Sequence, residues 1–121
     1  MKLTPKTVAV VVSNRQRAKR WYTQKLGLKV LTEDEHWTVV GRRHGGFAIH
    51  LCQVSEYDPK GKLEPGNTGI LFQVDTSMPK AYAALKKRGV KFPNPPEKME
   101  WGWYCIFADP DGNEFSLSPS G

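Results

Sequence analysis

Few side chains in this sequence combine a type and a setting suited to chemistry. His50 stands in the apolar run Phe47–Gln53, where a neutral imidazole can act as a base or bind a divalent metal. Near the C-terminus Glu114 and Ser116 alternate with Phe115 and Leu117, so a carboxylate and a hydroxyl share one face of a strand. Gln73 shares a face with Leu71 and Gly69 in an earlier strand by the same alternation. Trp37, Trp101 and Trp103 offer flat apolar faces for stacking. Polar groups few in number among aromatic walls suit a small-molecule site. The candidates for catalysis are therefore His50 and Glu114. Those for ligand binding are Trp37, His50, Gln73, Trp101, Trp103, Glu114 and Ser116.

Other reactive types carry less. Cys52 and Cys105 lie in apolar surroundings without CxxC spacing and read as small core residues with free thiols. Asp109-Pro110-Asp111-Gly112-Asn113 has the residue order of a turn, so its two carboxylates read as turn formers rather than an acid pair. The chain has 121 residues, enough for one domain with a real core. With 18 Lys and Arg against 12 Asp and Glu, its net charge is +6. The cations are scattered: Arg15, Arg17, Lys19, Arg20 and Lys25 share one expected helix, and Lys86, Lys87 and Arg88 end another. No nucleic-acid-binding motif accompanies them, so they read as a solvated surface with cations near helix C-termini. The net charge leaves room for a neutral or anionic ligand. Met1–Lys6 has no signal-peptide pattern and no segment is apolar enough to span a bilayer, giving a cytoplasmic expectation without membrane or nucleic-acid partners.

Positioning these residues requires elements, and the sequence sets them out twice. The β-branched run at residues 7–12 predicts a strand, Asn14 a helix cap, residues 15–26 a helix, and Gly27 its stop. Strands follow at 28–33, 37–41 and 47–53. A linker is expected at 54–67. Then come a strand at 69–74, a helix at 78–88 with Thr76 or Ser77 as its cap, the stop Gly89, and strands at 90–92, 103–108 and 114–118. Lys25–Val30 matches Lys87–Phe92 at an offset of 62, and the same offset carries Val12 onto Val74. The fold class is α+β, one domain of two βαβββ modules at about 5–53 and 68–119.

The segments VVVSNRQRAKRWYTQKLGLKV, GILFQVD, LKKRGVKF and WGWYCIFADPDGNEFSLSP resemble the vicinal oxygen chelate superfamily, which includes glyoxalase I, bleomycin-resistance proteins and extradiol dioxygenases. The likeness runs from about Thr7 to Pro119, and the Asp-Pro-Asp-Gly-Asn turn before the last strand is its most specific part. It implies a curved, cup-like mixed sheet with the helices outside, and a homodimer. In metal-dependent members, ligands come from the first and last strand of each half. Those positions hold Thr7, His50, Gly69 and Ser116, a degenerate set with one good donor. The resemblance thus implies a small-molecule binder using an aromatic-lined cup with no metal or other cofactor. The alternatives are a divalent-metal-dependent lyase, isomerase or thiol transferase with His50 as ligand or base, and a non-enzymatic interaction domain.

Overall fold

The structure, a computed structural model, describes residues 1–53 and 64–119. It contains two compact units, Met1–Pro65 and Gly66–Gly121. Most of the expected linker, residues 54–63, lies outside the described residues, and Asn67 already belongs to a strand.

In the first unit, strand β1 (Thr7–Val12) leads to helix α1 (Arg15–Gln24). Asn14 caps the helix: its side-chain oxygen accepts the Arg17 N–H at 2.8 Å, satisfying one of the free first-turn donors. Ala18 and Tyr22, four apart on one helix face, are buried. Gly27 takes a left-handed φ of 72°, which lets the Leu28 N–H return to the Tyr22 carbonyl at 3.2 Å. Strands β2 (Lys29–Glu33), β3 (Thr38–Gly41) and β4 (Ala48–Gln53) complete a sheet of order β1-β4-β3-β2. The β1–β4 pair is parallel and the other two are antiparallel. Val10, Val12, Val40, Leu51 and Tyr22 form its core. One surface expectation fails here. Arg15 is buried, 6% exposed, because it opens α1 facing the β2–β3 loop rather than solvent. The basic residues of α1 also do not gather in its last turn, so the dipole argument holds only for Lys86 and Lys87 of the second helix.

The second unit repeats this plan with changes. Strand β5 (Asn67–Val74) leads to helix α2 (Met78–Lys87), with Ser77 at the N-cap, no side-chain cap bond, and Pro79 in the first turn. Gly89 again stops the helix with a left-handed φ of 93°. The strand expected at 90–92 contracts to one bridge between Lys91 and Ala108. The strand expected at 103–108 divides at Cys105. Its first part, β7 (Gly102–Tyr104), pairs with β6 (Glu97–Met99) in a hairpin. Its second part, β8 (Ile106–Ala108), pairs with β9 (Glu114–Pro119). The Cys105 carbonyl meanwhile accepts the Leu117 N–H at 2.9 Å. The sheet order is β5-β9-β8, with β5 and β9 parallel. Phe72, Phe107 and Phe115 pack with centroids 5.4–5.8 Å apart, and Met78, Leu85 and Leu117 close the core. The register repeats as well: Ala9 lies opposite His50 in one unit, and Leu71 opposite Ser116 in the other. The chain is α+β, with mixed sheets that do not close into a barrel.

Candidate functional site

Parallel pairing of β1 and β4 places Thr7 near His50, and the Thr7 hydroxyl lies 2.8 Å from His50 Nδ1. Trp37 stacks on the imidazole at 4.4 Å between centroids and 21° between planes. Burial disfavours the charged ring, so His50 titrates below the ordinary histidine range and is held neutral. Arg15 supports this arrangement from below. Its guanidinium donates to the Asp34 carbonyl at 3.3 Å, to the Thr38 hydroxyl at 3.2 Å and to the Glu35 carbonyl. Its own backbone N–H donates to Gln53 Oε1 at 2.7 Å, tying the start of α1 to the end of β4. The loop it grips leads into Trp37, whose carbonyl accepts the Asp34 N–H at 2.8 Å.

In the second unit the faces of β9 separate cleanly. Phe115 and Leu117 are buried, whereas Glu114 and Ser116 lie on the opposite, half-exposed face. Glu114 lines a cleft of about 430 Å³ together with Ile106, Tyr104, Glu97 and the Pro93-Asn94-Pro95-Pro96 segment. The cross-strand pair Glu97–Tyr104 forms one wall, and Ile106 of β8 reaches the cleft from beside β9. Glu114 is anchored through its backbone: its N–H donates to Gly66 and its carbonyl accepts the Thr68 hydroxyl. The preceding turn satisfies itself. Asp109 Oδ1 accepts the Asp111 and Asn113 N–H groups at 2.9 Å, and Asn113 Nδ2 donates to Asp109 Oδ2 at 2.8 Å.

Within each unit, only some of the residues singled out in the sequence come together. Thr7, Trp37 and His50 meet in the first unit, and Glu114 lines the cleft of the second with Ser116 on its face. Trp103 lies on the other side of the β6–β7 hairpin, where it lines an apolar hollow of about 240 Å³ with Met78, Tyr82 and Pro96. Lys98 sits 5.2 Å from its ring centroid. Trp101 is 72% exposed at the hairpin turn, and Gln73 is exposed on the edge strand β5. Sequence reasoning missed Glu97, Ile106, the proline segment and Arg15. The three prolines within Phe92–Pro96 were the one visible sign of a rigid wall.

The positions at which metal-dependent relatives hold their ion do not fit one here. Gly69 has no side chain and a left-handed φ of 73°, and it lies in a break of register between Asn67 and Leu71 of β5. Thr7 and Ser116 present un-ionised hydroxyls, and His50 Nδ1 is engaged by Thr7. Among the described residues, no group of three or more His, Cys, Asp and Glu side chains is placed to hold a metal.

Comparison with known proteins places this architecture. Residues 4–117 match the family model of the Glyoxalase/Bleomycin resistance protein/Dioxygenase superfamily, and the chain belongs to that superfamily. An uncharacterised Bacillus subtilis (strain 168) protein, YetH, is 32% identical over 116 residues, covering 92% of this chain and 93% of that one. A superfamily member from Sphaerobacter thermophilus DSM 20745 has a crystal structure matching with a TM-score of 0.83 at 30% identity, covering 98% of both chains. TnmS3, an antibiotic binding protein from Streptomyces sp. CB03234, matches with a TM-score of 0.75 at 27% identity, covering 99% of this chain and 98% of its own.

Proposed function

We propose that this superfamily member binds a small organic molecule without a metal, as a cytoplasmic homodimer. The observation that carries the reading is the cleft on the open face of β8 and β9. It has the volume of a small-ligand site and is walled by an aromatic ring, an aliphatic side chain, three prolines and a few polar groups. The likeness to an antibiotic binding protein over nearly the full length of both chains supports the same reading. The unsuitable donors at Thr7, Gly69 and Ser116 support its metal-free part. In the first unit, the Trp37–His50 stack offers a second flat surface whose ring is neutral near neutral pH.

Binding here needs positioning and no bond-making. Pro93, Pro95 and Pro96 lack backbone N–H donors, so the wall they form exposes few groups that a ligand must leave hydrated. Tyr104 supplies stacking area at low conformational cost.

The test pairs metal content with ligand-induced stabilisation. Untagged protein purified without chelator is expected to hold far less than one equivalent of metal, before and after dialysis against Ni²⁺, Zn²⁺ and Mn²⁺. A screen of planar organic compounds is expected to raise its Tm by several degrees for at least one ring class, because ligands that bind only the native state stabilise it. One tightly held equivalent per chain would overturn the metal-free reading in favour of a metal-dependent lyase, isomerase or thiol transferase. A screen in which no compound stabilises the protein would leave the interaction-domain alternative.

A further inference from the structure

The flank of α2 carries a concavity that the cleft at Glu114 does not include. Met78, Tyr82 and Lys86 recur every fourth residue and form one stripe along the helix, about 12 Å long at a rise of about 1.5 Å per residue. Tyr82 meets Phe92 edge-on at 4.8 Å between centroids, and the segment from Phe92 to Pro96 forms the facing wall. Two hollows lie between stripe and wall. The first, of about 240 Å³, is lined by Met78, Pro79, Tyr82, Pro95, Pro96 and Trp103, none of which carries a charge. The second, of about 650 Å³, has two ammonium groups on its lining, Lys86 and Lys91, beside Val90 and Phe92. Tyr82 and Pro95 line both, so the hollows join into one furrow, apolar at one end and cationic at the other. Among the described residues, no Asp or Glu lines either hollow. Lys86 leans back along the helix, as helical side chains do; its ammonium donates to the Tyr82 hydroxyl at 3.2 Å and lies 5.2 Å from the ring centroid. Its charge therefore stands over the furrow and away from the last carbonyls of α2, whose negative pole would repel an anion.

From this we infer that the furrow is a second binding site, for a free medium-chain alkyl carboxylate. The shape carries the apolar part. Pro79, Pro95 and Pro96 offer no N–H donors, so a hydrocarbon tail laid against Met78 and Trp103 leaves few polar groups unsatisfied. The tail must also pass between Tyr82 and Pro95 to reach both hollows, which a flexible chain does more readily than a rigid polycycle. The head follows from the other end, where Lys86 and Lys91 accept a carboxylate. Exposed ion pairs are weak, so the tail supplies most of the affinity and the lysines set its direction. The net charge of +6 favours the encounter with an anion. The furrow shares its proline wall with the cleft at Glu114, but the two have different linings and neither reading depends on the other.

The experiment titrates the full chain by NMR with octanoate, octanol and octylammonium, which share a tail and differ in the charge of the head. Octanoate is expected to bind about three- to fivefold more tightly than octanol, and octylammonium most weakly. The Trp103 indole N–H should shift on binding while that of Trp37, in the other unit, stays in place. From hexanoate to decanoate, each added methylene should tighten binding about twofold, less than full burial gives because the furrow is open to solvent. Lys86→Gln combined with Lys91→Gln should bring octanoate to the affinity of octanol and leave octanol unchanged. Both lysines are exposed, so the double variant reads the charge without disturbing the core. Octanol or octylammonium binding as tightly as octanoate, or octanoate indifferent to the double substitution, would overturn the inference. So would shifts at Trp37 without Trp103, or no binding by any of the chains; the reading of the cleft at Glu114 would survive each of these results.

Discussion

Replacing Arg15 with alanine removes a buried guanidinium that holds two carbonyls and one hydroxyl. A hydrogen bond from a charged donor contributes roughly 1.5–3 kcal/mol net. Asp34 and Glu35 are exposed, so water replaces part of what their carbonyls lose, while Thr38 is buried at 0% exposure and gets no such relief. The expected loss is about 3 kcal/mol, a large share of a small domain's stability. With a urea m-value of about 1.5 kcal/mol/M, the unfolding midpoint falls by about 2 M. Arg15→Lys keeps the charge but not the planar fork, and should lose about half as much. Arg17→Ala is the control. Its guanidinium donates to the Ser13 hydroxyl at the surface, at 2.9 Å, and its loss should stay within about 0.5 kcal/mol. The loop that Arg15 grips delivers Trp37, so the His50 ring resonances should move in Arg15→Lys as the stacked indole shifts. An Arg15→Ala variant as stable as Arg17→Ala would refute the buried role, and unmoved His50 resonances would refute its link to the stack.

Three further outcomes follow from the geometry. His50 should titrate below the ordinary histidine value of about 6.5 by NMR. Because the unfolded chain binds that proton more readily, stability should decline as pH falls from about 6.5 through the lower native value, and His50→Phe should flatten that slope. The Cys105 thiol, pushed up to about 11 by burial, should resist a thiol reagent at pH 8 in the native protein and react on unfolding; rapid native reaction would contradict it. A Cβ at Gly69 meets nothing within 4 Å, so Gly69→Ala should cost only the strain of a left-handed backbone, about 1 kcal/mol, measured as a fall in Tm of several degrees.

The parts of the fold legible in the sequence are those set by local chemistry. Asn14 caps its helix through its own side chain, and Gly27 and Gly89 stop theirs because glycine tolerates positive φ. The 62-residue offset holds for the first strands, Ala9 to Leu71, whereas their partners in the last strands, His50 and Ser116, are 66 residues apart. What the sequence hid depends on distant partners. Nothing local at Cys105 announces that Tyr104 before it pairs with Glu97 while Ile106 after it pairs with Ser116. Arg15 looks like its neighbours Arg17 and Lys19 until a loop some twenty residues away closes over it. Glu97 lies in a short charged stretch with no periodicity, so only the hairpin reveals that it faces the same cleft as Glu114. Trp101 and Trp103 are alike by composition, yet a turn exposes one while the other lines a hollow with Met78 and Tyr82 of α2.

The bulge at Gly69 also bears on how this protein can change. A metal-binding side chain introduced at that position by one substitution would inherit a left-handed backbone and a strand out of step with its neighbour. Such a variant loses stability before it gains a donor, and a second change to straighten β5 would have to come with it. The cleft at Glu114 has no such barrier: substitutions of Glu97, Tyr104 or Ile106 alter its chemistry on an unstrained scaffold. Substitutions in the cleft should therefore be tolerated singly, whereas a donor at position 69 should need a second change in β5.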